Sequence, residues 1–348
     1  MGIRSEYAVT EVISIILVIA IVTSAVTGIL IWGVPYIEEK KAEAVASSAL
    51  TQLISIDNVI ENVISMGYNS SRYVNFLTDK GKISLGENIS SDCDRLIIFY
   101  SLNSSFDFFV TDTDHDGRFD INVTDEPGSI IDGITYSFYT NITSQTPPEF
   151  SKTTISESSP IQNLLFPETG FDAVLMNITI PKGHLLLGQN PEIVVGRIWV
   201  LDLGHITYEI TTNKNVYKLI FENEGVIQSN GDSSYLMHEP KIIERGQSYV
   251  FKILQLKTDD VSAYAAGNAN YRLTFKFINT SVLESSTYVP RYIRIWTYGE
   301  YNDSWSRFFN LSLNYAQYQG EPDLLCLRGD KNFTIIQNLL DMDLDVIG

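Results

Sequence analysis

The stretch "DTDHDGRFD" sets Asp112, Asp114 and Asp116 at alternate positions, puts Gly117 where a tight turn is needed and adds Asp120 beyond it. Hard carboxylate oxygens at loop positions one, three and five, the main-chain carbonyl of Arg118 at seven and a carboxylate at nine make the first part of a Ca²⁺-binding loop. Position twelve is Val123, so the bidentate glutamate that would finish an EF-hand is missing. The runs "FDFFV" before the motif and "RFDINV" after it read as strands, which predicts an ion-clamped β-hairpin, with Asp125 or a distant side chain available to complete the shell. Four crowded carboxylates repel one another unless a cation sits among them. The alternative is an acidic, solvated turn.

Little else has the spacing of a catalyst. The four histidines, His115, His184, His205 and His238, are scattered and form no HExxH or other ligand pattern. GxSxG, Walker A, GxGxxG and SxxK motifs are absent, so a non-enzymatic role is expected. Aromatic strands such as "YIRIWTYGEY" could line a sugar-binding face, although aromatic residues in sandwiches more often fill the core. The two cysteines, Cys93 and Cys326, belong to no CxxC motif. In an exported protein they could pair and close a long loop; otherwise they are two buried thiols.

These motifs sit in a chain of 348 residues, long enough for one large or two modest globular units beyond the N-terminal segment. A formal charge of -18, with 19% charged residues, describes an acidic surface that repels nucleic acid and anionic lipid headgroups. No nucleic-acid partner is expected.

From Val12 to Val34 no residue is charged, and at ~1.5 Å per residue the stretch covers about 35 Å, enough to cross a hydrocarbon layer of about 30 Å. The only interruptions are small: Ser14, Thr23, Ser24, Thr27 and Gly28. A secretory signal would have a shorter apolar core behind a basic start. Beyond Pro35 the apolar pattern resumes, with Val45, Ala49, Leu53, Ile56, Ile60 and Val63 spaced by three and four. One helix is therefore expected from about Ala8 to Ser65, kinked or straight at Pro35 and ending at Gly67, apolar all round in its first half and amphipathic in its second. A soluble region must pack on that second half.

The run "AVTEVISIILVIAIV" resembles the N-terminus of archaeal type IV pilins and pilin-like surface proteins, with Val9, Thr10, Glu11, Val12 and Ile13 matching directly and Ser14 in place of a glycine. The resemblance covers roughly the first 35 residues and, more loosely, the helical extension. It implies a short leader removed by a membrane prepilin peptidase, and hydrophobic helices that bundle into a filament core with copies of the chain or other pilins, through the pilus assembly machinery. That family prefers a charged residue followed by a small one at the cleavage site. Arg4 and Ser5 fit, giving a mature start at Glu6; Tyr7 and Ala8 supply only the small residue. An uncleaved membrane anchor is the alternative. Glu11 lies against the apolar edge, where an unpaired carboxylate is costly. In related pilins an early acidic residue meets the new amino terminus of a neighbouring subunit; the other reading is a glutamate at headgroup level marking the end of the span.

From about Tyr68 onward, "RLIIFY", "FDFFV", "ITYSFY", "AVLMNITI", "EIVVGRIWVLDL", "NVYKLIFE", "YVFKILQL", "YRLTFKF" and "YIRIWTY" read as strands, without long helical patterns between them. An antiparallel, sandwich-like β region is expected. The Ser-, Thr- and Pro-rich stretch over 146–170 predicts a loop or linker between a β region over 68–145 and a second over 171–348. Residues 1–8 form the leader or short cytoplasmic segment and 9–67 the helix. Ten Asn-x-Ser/Thr sequons, at Asn69, Asn88, Asn103, Asn122, Asn141, Asn177, Asn279, Asn302, Asn310 and Asn332, all follow the span. They place the β-rich head outside the cell membrane, as in a surface glycoprotein. The expected class is α+β: a long transmembrane and amphipathic helix bearing an extracellular β-rich head. The expected role is a pilin-like filament subunit, minor or adhesive in view of the large head. A membrane-anchored surface glycoprotein that does not assemble is the alternative, and a tethered carbohydrate-binding or hydrolase module has least support.

Overall fold

A computed structural model describes residues 3–78, 81–86, 95–102, 106–111, 120–125, 135–142, 149–156, 173–180, 193–211, 216–230, 233–241, 243–245, 248–258, 264–267, 269–286, 292–298, 301–312, 316–318, 321–328 and 332–347. It opens with α1 (Ile3–Gly28), a π-helical turn (Ile29–Gly33) and α2 (Val34–Met66). The π turn sits where Pro35 demands an adjustment. Proline has no N–H for the carbonyl four residues back and its ring crowds that carbonyl, so widening the helix by one residue lets the chain continue. The helix expected to kink or run straight at Pro35 thus runs on through a local π turn. It stops at Gly67, whose φ of 89° few other residues tolerate and whose N–H donates to the Ile64 carbonyl at 3.1 Å.

Ala42, Ala46, Ala49, Leu53, Ile56, Ile60 and Val63 alternate spacings of four and three along α2, and all are buried. That is a continuous stripe on one helical face, small at its lower end and bulky at its upper end. The strands that cover it form two sheets. One contains β1 (Ser71–Thr78), β14 (Ile243–Arg245), β15 (Ser248–Lys257), β17 (Ala269–Ser285) and β21 (Asn332–Val346), in the order β1-β17-β21-β15-β14. The other contains β2 (Lys82–Gly86), β10 (His205–Thr211), β11 (Val216–Glu222), β12 (Gly225–Ser229), β13 (Ser234–His238) and β16 (Tyr264–Ala266), in the order β13-β12-β11-β10-β2-β16. Phe76, Phe275 and Leu340 from the first sheet, and Tyr208, Phe221 and Leu85 from the second, join the α2 stripe in one apolar cluster.

A third sheet runs β19-β20-β18-β3-β9-β8-β6-β7. Its strands are β3 (Arg95–Ser101), β6 (Thr135–Ile142), β7 (Glu149–Ser156), β8 (Ala173–Ile180), β9 (Ile193–Asp202), β18 (Tyr292–Tyr298), β19 (Ala316–Tyr318) and β20 (Glu321–Arg328). A second core lies here. Ile98, Tyr100, Trp199 and Ile295 from this sheet meet Phe251 and Ile253 of β15 and Phe333 and Ile335 of β21. Because successive side chains on a strand point to opposite faces, β15 sends Leu254 and Leu256 to the first core and its odd-numbered neighbours to the second. Strands buried on both faces read as near-continuous apolar runs, and "YVFKILQL" is one interrupted only by Lys252 and Gln255.

β15 and β21 pair in parallel, with Gln255 opposite Leu339 and Asn338 opposite Leu254. The other strand pairs among the described residues are antiparallel. Between the two cores the parallel pair carries buried polar groups. The Gln337 amide donates to Gln255, which donates to the Asp202 carbonyl. The Leu254 N–H donates to Asn223 Oδ1 at 2.8 Å, and Thr280 donates to Asn338 at 2.7 Å. Each pairing avoids the cost of a polar group left dry and unbonded.

Three features depart from the sequence-based expectation. The division at 146–170 does not separate sheets, since β3 pairs with β9 and β18, and β1 pairs with β17. Part of the expected linker is strand β7, whose alternating Phe150, Lys152 and Thr154 meet β6 in register. An unforeseen helix, α3 (Asn302–Ser312), buries Trp305, Phe308 and Phe309 in the second core. Their i, i+3, i+4 spacing was the available signal.

Leu53 is fully buried in the centre of the first core. Leu53→Ala is expected to cost about 3 kcal/mol, read as a lower urea midpoint of the full-length protein. Ser55→Ala, two residues along on the exposed side, is expected to leave the midpoint within experimental error.

Candidate functional site

The surface that no part of the fold explains is the first half of the helix. Its apolar side chains from Val12 to Trp32 are all at least half exposed, including Ile15, Leu17, Ile19 and Ile31. The most apolar stretch has a mean hydropathy of 2.7, and among the described residues this is the one helix long and apolar enough to cross a membrane. One polar group is satisfied within the helix: Thr23 donates its hydroxyl to the Ile19 carbonyl at 2.8 Å. A hydroxyl satisfied within its own helix costs little in an apolar medium. Trp32 is 81% exposed, and Tyr36 carries the Lys40 ammonium 5.9 Å from its ring centroid. Lys40 also pairs with Glu43 at 2.6 Å. Aromatic rings followed by charge are what the boundary between hydrocarbon and water favours.

The second half of the same helix carries a group that sequence reading missed. Asp57 is 3% exposed beside the apolar stripe, and its Oδ1 has no hydrogen-bond partner among the described residues. Its Oδ2 lies 3.5 Å from Lys241 Nζ and 3.6 Å from His238 Nε2, while Lys241 pairs with Glu61 at 2.6 Å. Glu224 completes the group from the β11–β12 turn, where Asn223 and Glu224 adopt φ of 45° and 64°. This two-residue hairpin turn needs left-handed backbone at both centres. Asn223 suits it and is fixed by accepting the Leu254 N–H. Glu224 is neither small nor glycine, and it is buried. Burial pushes its carboxyl up to about 7, the Asp57 and Glu61 charges add to the rise, and Lys252 and Lys241 oppose it. A charged residue on the buried side of an amphipathic helix, at Asp57, was the readable clue.

The residues singled out in the sequence are distributed as follows. Arg4, Ser5, Ala8 and Glu11 all lie within α1, upstream of the described exposed side chains. The strands expected to flank the acidic motif, β4 (Phe106–Thr111) and β5 (Asp120–Asp125), pair antiparallel, with Thr111 opposite Asp120. Asp112, Asp114, Asp116 and Arg118 lie outside the described residues, as does Cys93. Cys326 is in β20 opposite Arg294. Among the sequons, Asn69 and Asn279 are exposed, whereas Asn177 in β8 accepts from Arg197 Nε at 3.1 Å. Arg197 in turn pairs with Glu284 at 2.8 Å, and the Tyr100 hydroxyl donates to the same carboxylate. Asn332 has its Oδ1 buried, Asn302 opens α3, and Asn122, Asn141 and Asn310 lie within β5, β6 and α3. Asn88 and Asn103 fall outside the described residues. Comparison of the chain with protein-family models, with curated proteins and with solved structures found no match.

The Glu224 carboxyl sets the sign of a pH dependence. Its ordinary value is 4.5 and its folded value about 7, so between these the unfolded chain releases a proton that the folded protein keeps. The favourable contribution is complete below pH 4.5 and lost as pH rises through 7. At full effect this is on the order of 3 kcal/mol. Glu224→Gln keeps the size and removes the titration. The difference in unfolding free energy, variant minus wild type, is expected to grow from pH 5 to pH 8 when both are unfolded in urea.

Proposed function

We propose that the chain is a non-enzymatic, pilin-like subunit of a surface filament, held in the membrane by the first half of its helix until it assembles, with the β-rich head outside the cell. One observation carries this reading. A single unbroken helix is the core of the head along one half and wholly uncovered apolar surface along the other. Such a surface is unstable in water and needs either lipid or copies of itself. Ser14, Ala20, Ser24, Ala25 and Gly28 would let neighbouring helices approach closely. Gly28 has open space around it within the subunit, so a larger residue there would be felt only between subunits. The alternative, an anchored surface glycoprotein that never assembles, uses the same helix with lipid as its permanent neighbour. A tethered carbohydrate-binding or hydrolytic head has least support.

The motif between β4 and β5 is proposed to hold Ca²⁺ at the tip of a hairpin, through Asp112, Asp114, Asp116, the Arg118 carbonyl and Asp120. The antiparallel pairing of the two flanking strands supports this, because it holds the two ends of the motif together.

Sequencing the mature N-terminus and inspecting sheared cell-surface fractions test the filament reading together. Cleavage after Ser5 with filaments in the sheared fraction is expected; an intact N-terminus retained wholly in the membrane would favour the non-assembling anchor. Gly28→Leu is expected to keep the protein in the membrane while abolishing filaments. For the ion, the full-length protein is expected to melt at a lower temperature in chelator than in Ca²⁺, and equal midpoints would count against the site.

A further inference from the structure

We infer that Asn69 and Asn279 carry N-linked glycans, and that the two sugars form one patch at the end of α2 opposite the exposed apolar helix. The inference rests on the outward placement of the head proposed above. It goes further by selecting, among many sequons, the two whose surroundings fit a glycan.

Both asparagines are exposed, and the backbone ties them to one place. The Asn69 N–H donates to the Phe277 carbonyl at 3.1 Å, and the Phe277 N–H donates to the Ser70 carbonyl at 2.9 Å. Asn279 follows two residues later, at a bulge where the β17–β21 register shifts. Asn69 itself stands in a turn with φ of 63°, directly after the α2 cap. Asn69 stands outside the strands, and Asn279, opposite Leu339 of β21, directly follows the bulge at Ile278 and lies beyond the last β1 pairing at Lys276; with both side chains exposed, a bulky substituent displaces no strand. At Asn279 the acceptor amide already donates to the hydroxyl of Ser281, the third residue of its own sequon, at 2.9 Å. The residue that defines the sequon is therefore in contact with the nitrogen to be modified.

The neighbourhood also presents apolar surface that the fold leaves bare. Tyr68 is 82% exposed, Met66 57% and Val282 63%. Single exposed apolar residues are ordinary, but the Tyr68 ring next to Asn69 offers the C–H face of a pyranose something to stack on. Two other described sequons differ. Asn177 is engaged by Arg197 in the middle of β8, and the Asn332 Oδ1 is buried. A glycan at either would have to break packing that the sheet uses.

Location follows from the helix. α2 has 33 residues and spans about 50 Å, with Pro35 at its lower end and Gly67 at its upper end. Asn69 sits just past Gly67, so the glycan patch caps the end opposite the apolar segment.

The test is glycopeptide mass spectrometry on the full-length protein, purified from the membranes of a cell that exports it through an N-glycosylating pathway. Wild type, Asn69→Gln, Asn279→Gln and Asn177→Gln are compared. Glycan on the Asn69 and Asn279 peptides, one glycan fewer in each corresponding variant, and no glycan lost in Asn177→Gln would support the inference. Glycan on other sequons with both of these bare would overturn it while leaving the outward placement standing. If no sequon is modified, protease added to intact cells separates the remaining cases: a digested head overturns the glycan inference alone, and a protected head overturns the placement with it.

Discussion

Everything in the head is arranged around the requirement that one face of α2 be dry. Seven residues from Ala42 to Val63 repeat at helical spacing, and sheets on both sides close over them. The stripe begins with alanines, where strands can come near the helix axis, and ends with Leu53, Ile56 and Ile60, which need room. On the flank of the stripe Gln52 uses its amide as a short extra strand, accepting from the Leu77 N–H at 2.8 Å and donating to the Leu77 carbonyl at 3.2 Å. β1 is the edge of its sheet, and an open edge invites unwanted pairing. The helix therefore supplies both the core of the head and a partial cover for its most exposed strand.

The helix was legible because its chemistry is periodic along one continuous segment. An uncharged run and the three-and-four stripe give its extent and Gly67 its end, which the structure places within a residue of the expected position, whereas its start lies at Ile3, ahead of the expected Ala8. Strand existence was equally readable from β-branched and aromatic runs. What could not be read was which strands meet. The β1–β17 and β15–β21 pairs join segments far apart in sequence, and no local pattern encodes such a pairing. The β7 segment, "EFSKTTIS", is polar and Thr-rich, so composition argued for a loop while its pairing with β6 made it a strand. Local propensity is a weak prior where an available edge can recruit a partner.

The site was legible only in part. The exposed apolar helix and the acidic motif were visible as composition, and the structure added a helical backbone to one and a paired hairpin base to the other. Of the Asp57 group only the helix members could be read, because the others come from a hairpin turn, the last residue of β13 and the segment after it. Glu224 in a left-handed turn combines a strained backbone with a buried carboxyl, and such positions persist only where the surroundings fix them. Here the fixing comes from Asn223, held by β15, and from the opposing face of α2.

The parallel pairing of β15 with β21 has a consequence for the order of events during synthesis. Leu340 and Met342 help cover a stripe that leaves the ribosome with α2, hundreds of residues earlier. Until β21 emerges, β17 lacks its central neighbour and the α2 stripe lacks part of its roof. Contacts of such long sequence separation form slowly. The nascent chain therefore carries two bare apolar faces on one helix for most of translation, and any factor that shields the lower one early must leave the upper one free to be enclosed later.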